Sequence, residues 1–581
     1  MIDFIISNRP LANPQKEPVI PFTMTYFLTS KEDKFRTITT EEKKIWIFGD
    51  CIASEEQLLK TATADIARLK GNFYAIIVEN GEILVFSSFL NILPLYYTTD
   101  FKHISSSITY IREYVDTELQ IDKKFILESL LFNYGFFNRT LFKEICLVPV
   151  NHHILIEGEK SKLIPHFETS TLFTSTPKRG RKVADTLSDL FIDTVKDYFP
   201  EDNFHIAFTS GFDGRTLVSC ATHYEKIFNT FSFGRPENDD VTIPQENAEA
   251  LQIPYTYFDL GTSSYIENAY PQNAKEYIKY YPGGNGYIYA HFLYSTKKVA
   301  SASNYLLSGV MGSELFRALH ITGAVTSKAL VDVFMISDHL ELKNALRESE
   351  TLKVLDKTQF SDALEELLDE IIMYKQRFSS ELPLNQQFYT FVLEEIFRKF
   401  FGQWVYLQMR YCKVRTPFLD VTFLKELMQS IYAGANNDFR TENPLKRIKG
   451  QYLYTDIIKK TNTMIYKQKT GKGYRPKDVR EPLFLYNIFI PFFKKRISRK
   501  VKKTYLDNLG IISGAVHQKI EFKNLIEQTD WIDSNYLSEI LENLSPYTKE
   551  NQRDTLLMTL SLLQAVQHTS NTKPIGTATI K

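Results

Sequence analysis

One stretch of eighteen residues constrains this chain more than any other: Phe204-His-Ile-Ala-Phe-Thr-Ser-Gly-Phe-Asp-Gly-Arg-Thr-Leu-Val-Ser-Cys-Ala221. A short apolar run reads as a strand. Ser210, Gly211, Phe212, Asp213, Gly214 and Arg215 form a tight loop, and the apolar-periodic residues after it read as a helix. That order sets backbone N–H groups and the positive end of a helix at the tip of a strand, where an anion can sit. Ser210 adds a hydroxyl donor, and Gly211 and Gly214 let the backbone approach a ligand closely. Asp213 beside an anion makes sense when it holds a cation such as Mg²⁺, which prefers carboxylate and phosphate oxygens. The plain alternative is an ordinary strand–turn–helix connection, because Gly and Asp are common turn residues.

A chain of 581 residues is too long for one domain. Its 43% hydrophobic content supports a sizeable core and excludes a mainly disordered protein. Lys+Arg and Asp+Glu both number 69, so no global field recruits nucleic acid or an anionic membrane. Lys494-Lys495-Arg496 and Arg499-Lys500-Val501-Lys502-Lys503 form a local basic run, read as a solvated helix face. The cysteines (Cys51, Cys146, Cys220, Cys412) are far apart, which argues against a zinc site or a disulfide framework and fits a reducing compartment. The start of the chain lacks a basic n-region and does not read as a signal peptide. The most apolar run, Leu483 to Phe493, contains Pro491 and is far below the roughly 20 residues of a membrane span. The chain reads as soluble and cytoplasmic, with no membrane and no nucleic-acid partner.

Up to about residue 165 the pattern is β-rich. Phe73–Val78, the turn Glu79-Asn80-Gly81 and Glu82–Phe86 predict a hairpin, since Asn-Gly is a favoured hairpin turn. A helix is predicted from Ser54 to Leu69. The Ser/Thr/Pro/Gly-rich segment Phe167–Arg181 is a natural boundary. Beyond it strand and helix signals alternate: strand 204–208, helix 214–223, strand 226–233, helix 242–252, strand 254–258, helix 285–302, strand 304–308. Such alternation predicts a parallel sheet with ligands beyond the carboxyl ends of its strands. From about 325 the chain is mainly helical, as in 358–378, 386–410 and 549–568.

Several segments resemble, in order, one family: the glutamine-dependent asparagine synthetases and their relatives, including β-lactam synthetases and lasso-peptide cyclases. The family's S-G-G-x-D-S loop is met by Ser210–Arg215, and its L-S-G-x-G-x-D-E-L-F loop by Leu307-Ser-Gly-Val-Met-Gly-Ser-Glu-Leu-Phe316. Its P-F-L-D is Pro417-Phe-Leu-Asp420, and a basic-Gly-aromatic segment is Lys472-Gly473-Tyr474, followed by Pro476. In the first half, Leu69-Lys-Gly-Asn-Phe-Tyr-Ala75, Ser87-Ser-Phe-Leu-Asn-Ile-Leu-Pro-Leu-Tyr-Tyr97 and Leu141-Phe-Lys-Glu-Ile145 resemble G-x-F-A, R-D-x-x-G-x-x-P-L-Y-Y and T-L-F-x-x-I. The resemblance runs over about residues 45 to 480. It implies an α+β Ntn-hydrolase-like layered domain over 1–165 and an α/β parallel-sheet PP-loop ATP pyrophosphatase domain over 183–500. A helical extension over 501–581 completes the chain.

The departures shape the expected chemistry. Active glutaminases of this family carry a Cys just after the initiator Met, where this chain has Ile2, and their R-D pair corresponds to Ser87-Ser88. The first domain is therefore expected to keep its fold without hydrolysing glutamine. Asn80-Gly81-Glu82 imitates a glutamine-site triplet but reads as turn chemistry. With Asp213 matched to the loop's Asp, Ser210–Arg215 is one residue short, and Ser313 stands where relatives carry the magnesium-binding Asp.

The resemblance implies ATP and Mg²⁺ as cofactors, adenylation of a carboxylate with release of pyrophosphate, and attack by an amine. It places Ser210, Gly211, Phe212, Gly214 and Arg215 around the pyrophosphate, with Asp213 and Glu314 on the metal. Ser308 and Gly309 would contact the nucleotide, and Phe233-Gly234 would lie near the adenine. Glu314 and Lys472 are the catalytic candidates, with Lys469 the alternative to Lys472. The expected partners are a small-molecule or peptide carboxylate and an amine donor, with a homodimer as one option. An AMP-forming amide ligase is the first expectation; an asparagine synthetase proper and a nucleotide-binding pseudoenzyme are the alternatives. A tRNA-modifying ATP pyrophosphatase would call for a strongly basic surface and often a Cys pair, which this sequence lacks.

Overall fold

The computed structural model describes residues 3–8, 26–29, 35–114, 119–317, 319, 325–378, 382–437, 444–483, 486–494, 497, 509–545 and 548–570. The chain is a mixed α/β protein with two antiparallel sheets, one parallel sheet and a helical C-terminal part. Ile2 and most of the basic run after Lys494 lie outside the described residues.

Eleven strands build the first half: β1 Phe4–Ser7, β2 Tyr26–Thr29, β3 Phe35–Thr39, β4 Lys43–Cys51, β5 Gly71–Glu79, β6 Glu82–Ser87, β7 Tyr96–Thr98, β8 His103–Ser105, β9 Ile145–Leu147, β10 His152–Glu157 and β11 Lys160–Pro165. One sheet has the order β2-β1-β8-β7-β9 and the other β11-β10-β6-β5-β4-β3. Phe4 of β1 lies 5.0 Å from the Phe48 ring of β4 and 5.5 Å from Tyr74 of β5, so the sheets pack face to face. The outer face of the larger sheet buries Phe73, Ala75 and Ile77 with Ile45, Ile47, Leu58 and Ile66. With both faces of β5 buried, its sequence is apolar without alternation. The hairpin turn forms as expected, with Asn80 at φ 53° and Gly81 at φ 81°.

The predicted helix 54–69 is broken. Ser54 caps a helix at Glu55–Lys60, the Thr61 hydroxyl bonds back to the Gln57 carbonyl, and a separate 3-10 turn covers Thr63–Arg68. A threonine that competes for the backbone of the preceding turn ends a helix readily.

In the second half, β12 Phe204–Ala207, β13 Phe228–Gly234, β14 Tyr255–Asp259, β15 Tyr305–Leu307 and β16 Lys413–Arg415 form a parallel sheet of order β14-β13-β12-β15-β16. The chain runs outward from β12 through β13 to β14, then crosses back to β15 on the other side of β12. The strand order therefore reverses between β12 and β15, where open α/β sheets leave a crevice. The predicted helix 386–410 is continuous but wound in three parts, Leu384–Phe391, a π-helical Val392–Phe401 and Gly402–Met409. Periodicity alone does not register such a change of winding.

Edge strand β16 also ties the two halves together. Arg415 Nε donates to Asp50 Oδ2 at 2.6 Å, and Asn72 Nδ2 donates to the Val414 carbonyl at 2.8 Å. Asp420 of the P-F-L-D segment is structural. It caps the helix Val421–Met428 by accepting from the Thr422 and Phe423 amides, and it accepts from the Tyr198 hydroxyl at 3.2 Å. Asp420→Ala is expected to lower unfolding stability by about 1–2 kcal/mol in a denaturant titration, with ligand affinity at the cavity described below unchanged.

Candidate functional site

The crevice between β12 and β15 is filled by two touching loops. A Cβ on Gly309 would lie 2.9 Å from Asp213 Cβ and 3.1 Å from the Gly214 nitrogen, so the second loop needs glycine to approach the first. Gly214 is as constrained: its Cβ would lie 2.1 Å from the Ala207 carbonyl oxygen. The helix Asp213–His223 starts at this point and directs its positive end into the crevice.

A third segment closes the site from above. Gly471 donates its N–H to the Ser210 carbonyl at 2.9 Å, and a Cβ there would sit 2.1 Å from Ser210 Oγ. Thr470 folds the turn by accepting the Lys472 amide and donating to the Tyr474 carbonyl. The result is a polar cavity of about 180 Å³, lined by Ser210, Gly211, Phe212, Ser313, Arg317 and Lys472, with Gln451 and Tyr454 on its wall.

Of the expected residues, Ser210, Gly211, Phe212 and Lys472 thus meet at one place. Lys469 does not line this cavity; its carbonyl serves as an acceptor for Arg215 at 2.9 Å. Arg215, expected to add positive charge near the pyrophosphate, does not line this cavity. Its side chain is 0% exposed behind the loop, with only carbonyl partners, Lys469 and Gly211, and with Nη1 unpartnered. Its charge is therefore not neutralised by a carboxylate there, and burial pulls its pKa down to about 9.

Phe233 and Gly234 reach the same edge of the sheet but stay outside the cavity. Phe233 packs 5.1 Å from His291 and 5.4 Å from Phe292, and the Gly234 carbonyl accepts the Leu260 amide. Ser308 is turned to its own loop, accepting the Val310 amide at 3.3 Å and donating its N–H to the Arg415 carbonyl.

Thr209 precedes the loop, and its hydroxyl accepts the Gly211 amide at 3.4 Å.

The electrostatics are mixed. Burial and the Arg317 charge push the Lys472 pKa down to about 7, against the pull of Asp213. Burial and Asp213 push Glu314 up to about 7, with Arg317 opposing. Asp213 is raised by burial, partly offset by its bonds from Tyr454 and Ser313. The Tyr454 hydroxyl donates to Asp213 Oδ1, and Ser313 Oγ donates to Asp213 Oδ2 at 2.7 Å. Asp240 takes both donors of Ser210, the amide at 3.0 Å and the hydroxyl at 2.5 Å.

These contacts test the two groups that the resemblance implies. A polyphosphate fits the cavity by charge, through Lys472, Arg317 and the helix end. For a magnesium ion the site offers Asp213, whose two oxygens each accept one hydrogen bond, from Tyr454 and from Ser313. Among the described residues no three His, Cys, Asp or Glu side chains are placed to share a metal ion. Asp240, Arg317 and Tyr454 escaped the sequence reading. Arg317 directly follows the second loop, Asp240 follows the Phe233-Gly234 turn, and Tyr454 lies within a long helix with no local pattern to mark it.

In the first half, Ser87 and Ser88 are buried, and Ser87 accepts from Asn91 Nδ2 at 3.1 Å. The position of the family's R-D pair thus offers hydroxyls and no carboxylate.

No family model and no curated protein matches this chain. Among solved structures it is similar to a glutamine phosphoribosylpyrophosphate amidotransferase from B. subtilis complexed with ADP and GMP, at 9% identity and a TM-score of 0.14 over 39% of this chain and 48% of that one. It is also similar to the allosteric regulatory enzyme of purine biosynthesis, at 9% identity and a TM-score of 0.14 over 38% of this chain and 45% of that one. The chain spans about half the length of these two structures. Likeness at this level assigns no activity and carries no argument below.

Proposed function

We propose that the chain is an ATP-dependent, AMP-forming carbon–nitrogen ligase, which activates a carboxylate as its adenylate and couples it to an amine without hydrolysing glutamine. One observation carries the reading: Lys472, Arg317 and the loop Ser210–Phe212 converge on a single polar cavity at the reversal point of a parallel sheet. At about 180 Å³ the cavity suits the phosphates, while whole small-molecule sites span roughly 300–1,000 Å³. The nucleoside would extend along the strand ends toward Phe233-Gly234.

In this reading the loop and the Asp213–His223 helix end orient the phosphates, and the ammonium of Lys472 with Arg317 balances the charge that develops when pyrophosphate leaves. Magnesium, when it accompanies the nucleotide, supplies further neutralisation of the phosphates; this chain offers it no ready pair of carboxylates. The amine comes from a second substrate, from the same substrate, or as free ammonia. The test is ATP–pyrophosphate exchange over a panel of carboxylic acids, with AMP formation when an amine is added.

A second reading, a non-catalytic nucleotide-binding relative, is favoured by Asp240 on Ser210 and by Tyr454 and Ser313 on Asp213. Asp240→Asn separates the effects. Removing a carboxylate charge from the lip of an anion site is expected to tighten ATP binding about tenfold, as one charge a few ångströms away at intermediate dielectric predicts. Calorimetry measures it, and unchanged affinity would mean that phosphate does not reach Ser210.

A further inference from the structure

A second feature of this chain stands apart from the cavity. Leu483, Tyr486, Ile490, Phe493 and Ile497 recur at alternating spacings of three and four, the period of one helix face. In the structure residues 486–494 are helical, and these five side chains are 37–70% exposed. Ile488 on the other side is buried at 4%, so the helix is docked by its narrower face and turns its broader apolar face outward. Asn487 fixes the entry by donating to Glu481 Oε2 at 3.0 Å. Phe489 and Phe492 each lie about 6 Å from Phe493, which makes the outer face one aromatic surface. A contiguous apolar face of this kind on a soluble domain marks a docking surface.

Charge decides what it docks to. The 25 residues from Pro482 to Leu506 contain seven Lys or Arg and no Asp or Glu. Because the whole chain is neutral, the remainder carries a net charge of minus seven. Lys494 ends the helix, and the other six basic residues follow in sequence, outside the described face. Two copies of such a segment would repel each other, and an acidic protein surface would leave the aromatic stripe unmatched. A bilayer with anionic headgroups satisfies both, taking the apolar face below the headgroups and attracting the basic sequence by its charge.

We infer that the exposed face of helix 486–494, with Leu483 and Ile497, is an interfacial anchor that lays the protein on an anionic membrane surface. The helix lies on the bilayer and does not cross it, since none of the described helices is long and apolar enough to span. This departs from the expectation of no membrane partner, which rested on the zero net charge of the whole chain, on reading the basic run as a solvated helix face and on the shortness of the apolar run before it. The inference stands whether or not the cavity binds nucleotide.

The test is flotation of the full chain with phosphatidylcholine vesicles and with vesicles that also contain phosphatidylglycerol. The protein is expected to float with the anionic vesicles only, and to be released by high salt. The triple substitution Leu483→Ser, Tyr486→Ser, Phe493→Ser is expected to weaken this binding at least about tenfold, and Lys494→Glu by a similar factor. Thermal unfolding should be unchanged in both, because the altered side chains are largely exposed. Absence of flotation, equal flotation with neutral vesicles, or variants that bind like the parent would each overturn the inference. So would self-association in sedimentation equilibrium that the triple substitution abolishes.

Discussion

Lys472→Ala lowers ATP–pyrophosphate exchange by about 100-fold or more, the usual effect of removing one donor that faces developing charge, and at the same time raises the melting temperature. Both effects follow from one position. The ammonium is enclosed beside Arg317, and its pKa falls to about 7 because burial and that like charge outweigh Asp213. Holding it there costs folding energy, and only a bound anion would return it. The sign with pH can be worked out. In the unfolded chain the lysine keeps its proton up to the ordinary lysine range, near 10.5, so between pH 7 and that value the unfolded state binds more protons. Stability attributable to this residue therefore rises with pH above 7 and is least below it.

Activity that needs the ammonium runs the other way. For free enzyme, kcat/KM is expected to fall as pH rises through about 7, with the fall shifted upward once phosphate is bound. Lys472→Met should flatten that limb while stabilising the protein at pH 6. Glu314 supplies a contrast. Its carboxyl is held up to about 7 by burial and Asp213, so its cost to stability appears as pH rises from the ordinary carboxylate range to 7.

Arg410→Ala is expected to destabilise the protein by about 3–5 kcal/mol, as for other buried ion pairs that lose one partner. The side chains of Arg410 and Asp3 are 3% and 4% exposed and meet through two bonds, Nη1 to Oδ1 and Nη2 to Oδ2, each at 2.7 Å. The guanidinium also lies 3.6 Å over the Tyr280 ring. Burial pulls its pKa down, but Tyr406 and Asp3 hold it above the ordinary range, so no accessible pH discharges it. Truncation leaves the Asp3 carboxylate stranded between the first strand of the first half and the helix Gly402–Met409 of the second. The companion experiment is the double substitution Asp3→Leu, Arg410→Met. Replacing both charges with apolar groups of similar size should recover most of the loss. Differential scanning calorimetry is the measurement. A single substitution that costs less than about 1 kcal/mol would show that the pair is solvated.

The parallel sheet was legible in the sequence because its strands alternate with helices and its glycines sit where loops must touch. Glycine at 214 and 309 marks a close backbone approach: Gly214 packs on the Ala207 carbonyl of the strand before it, and Gly309 on Asp213 and Gly214 of the first loop. The loop around Asp213 was legible as a strand–loop–helix junction from its apolar flanks and glycines. Arg215 was read as facing the ligand because sequence gives no side-chain direction inside a helix; only packing shows that its guanidinium turns back to the Lys469 carbonyl. Asp240 lies 30 positions from Ser210 and Tyr454 lies 241 from Asp213, and no local pattern links either pair. The segment 483–493 was legible only as an apolar run too short to span a membrane. That one face of it is uncovered follows only from the fold.

The account rests on an anion site at the reversal point of the parallel sheet, and calorimetric titration of the full chain with ATP and magnesium tests it most directly. The expected result is one binding site per chain, weakened at least about tenfold by Lys472→Ala, unchanged by Asp420→Ala and tightened by Asp240→Asn. A chain that takes up no ATP, or takes it up with the same affinity when Lys472 is alanine, would contradict it.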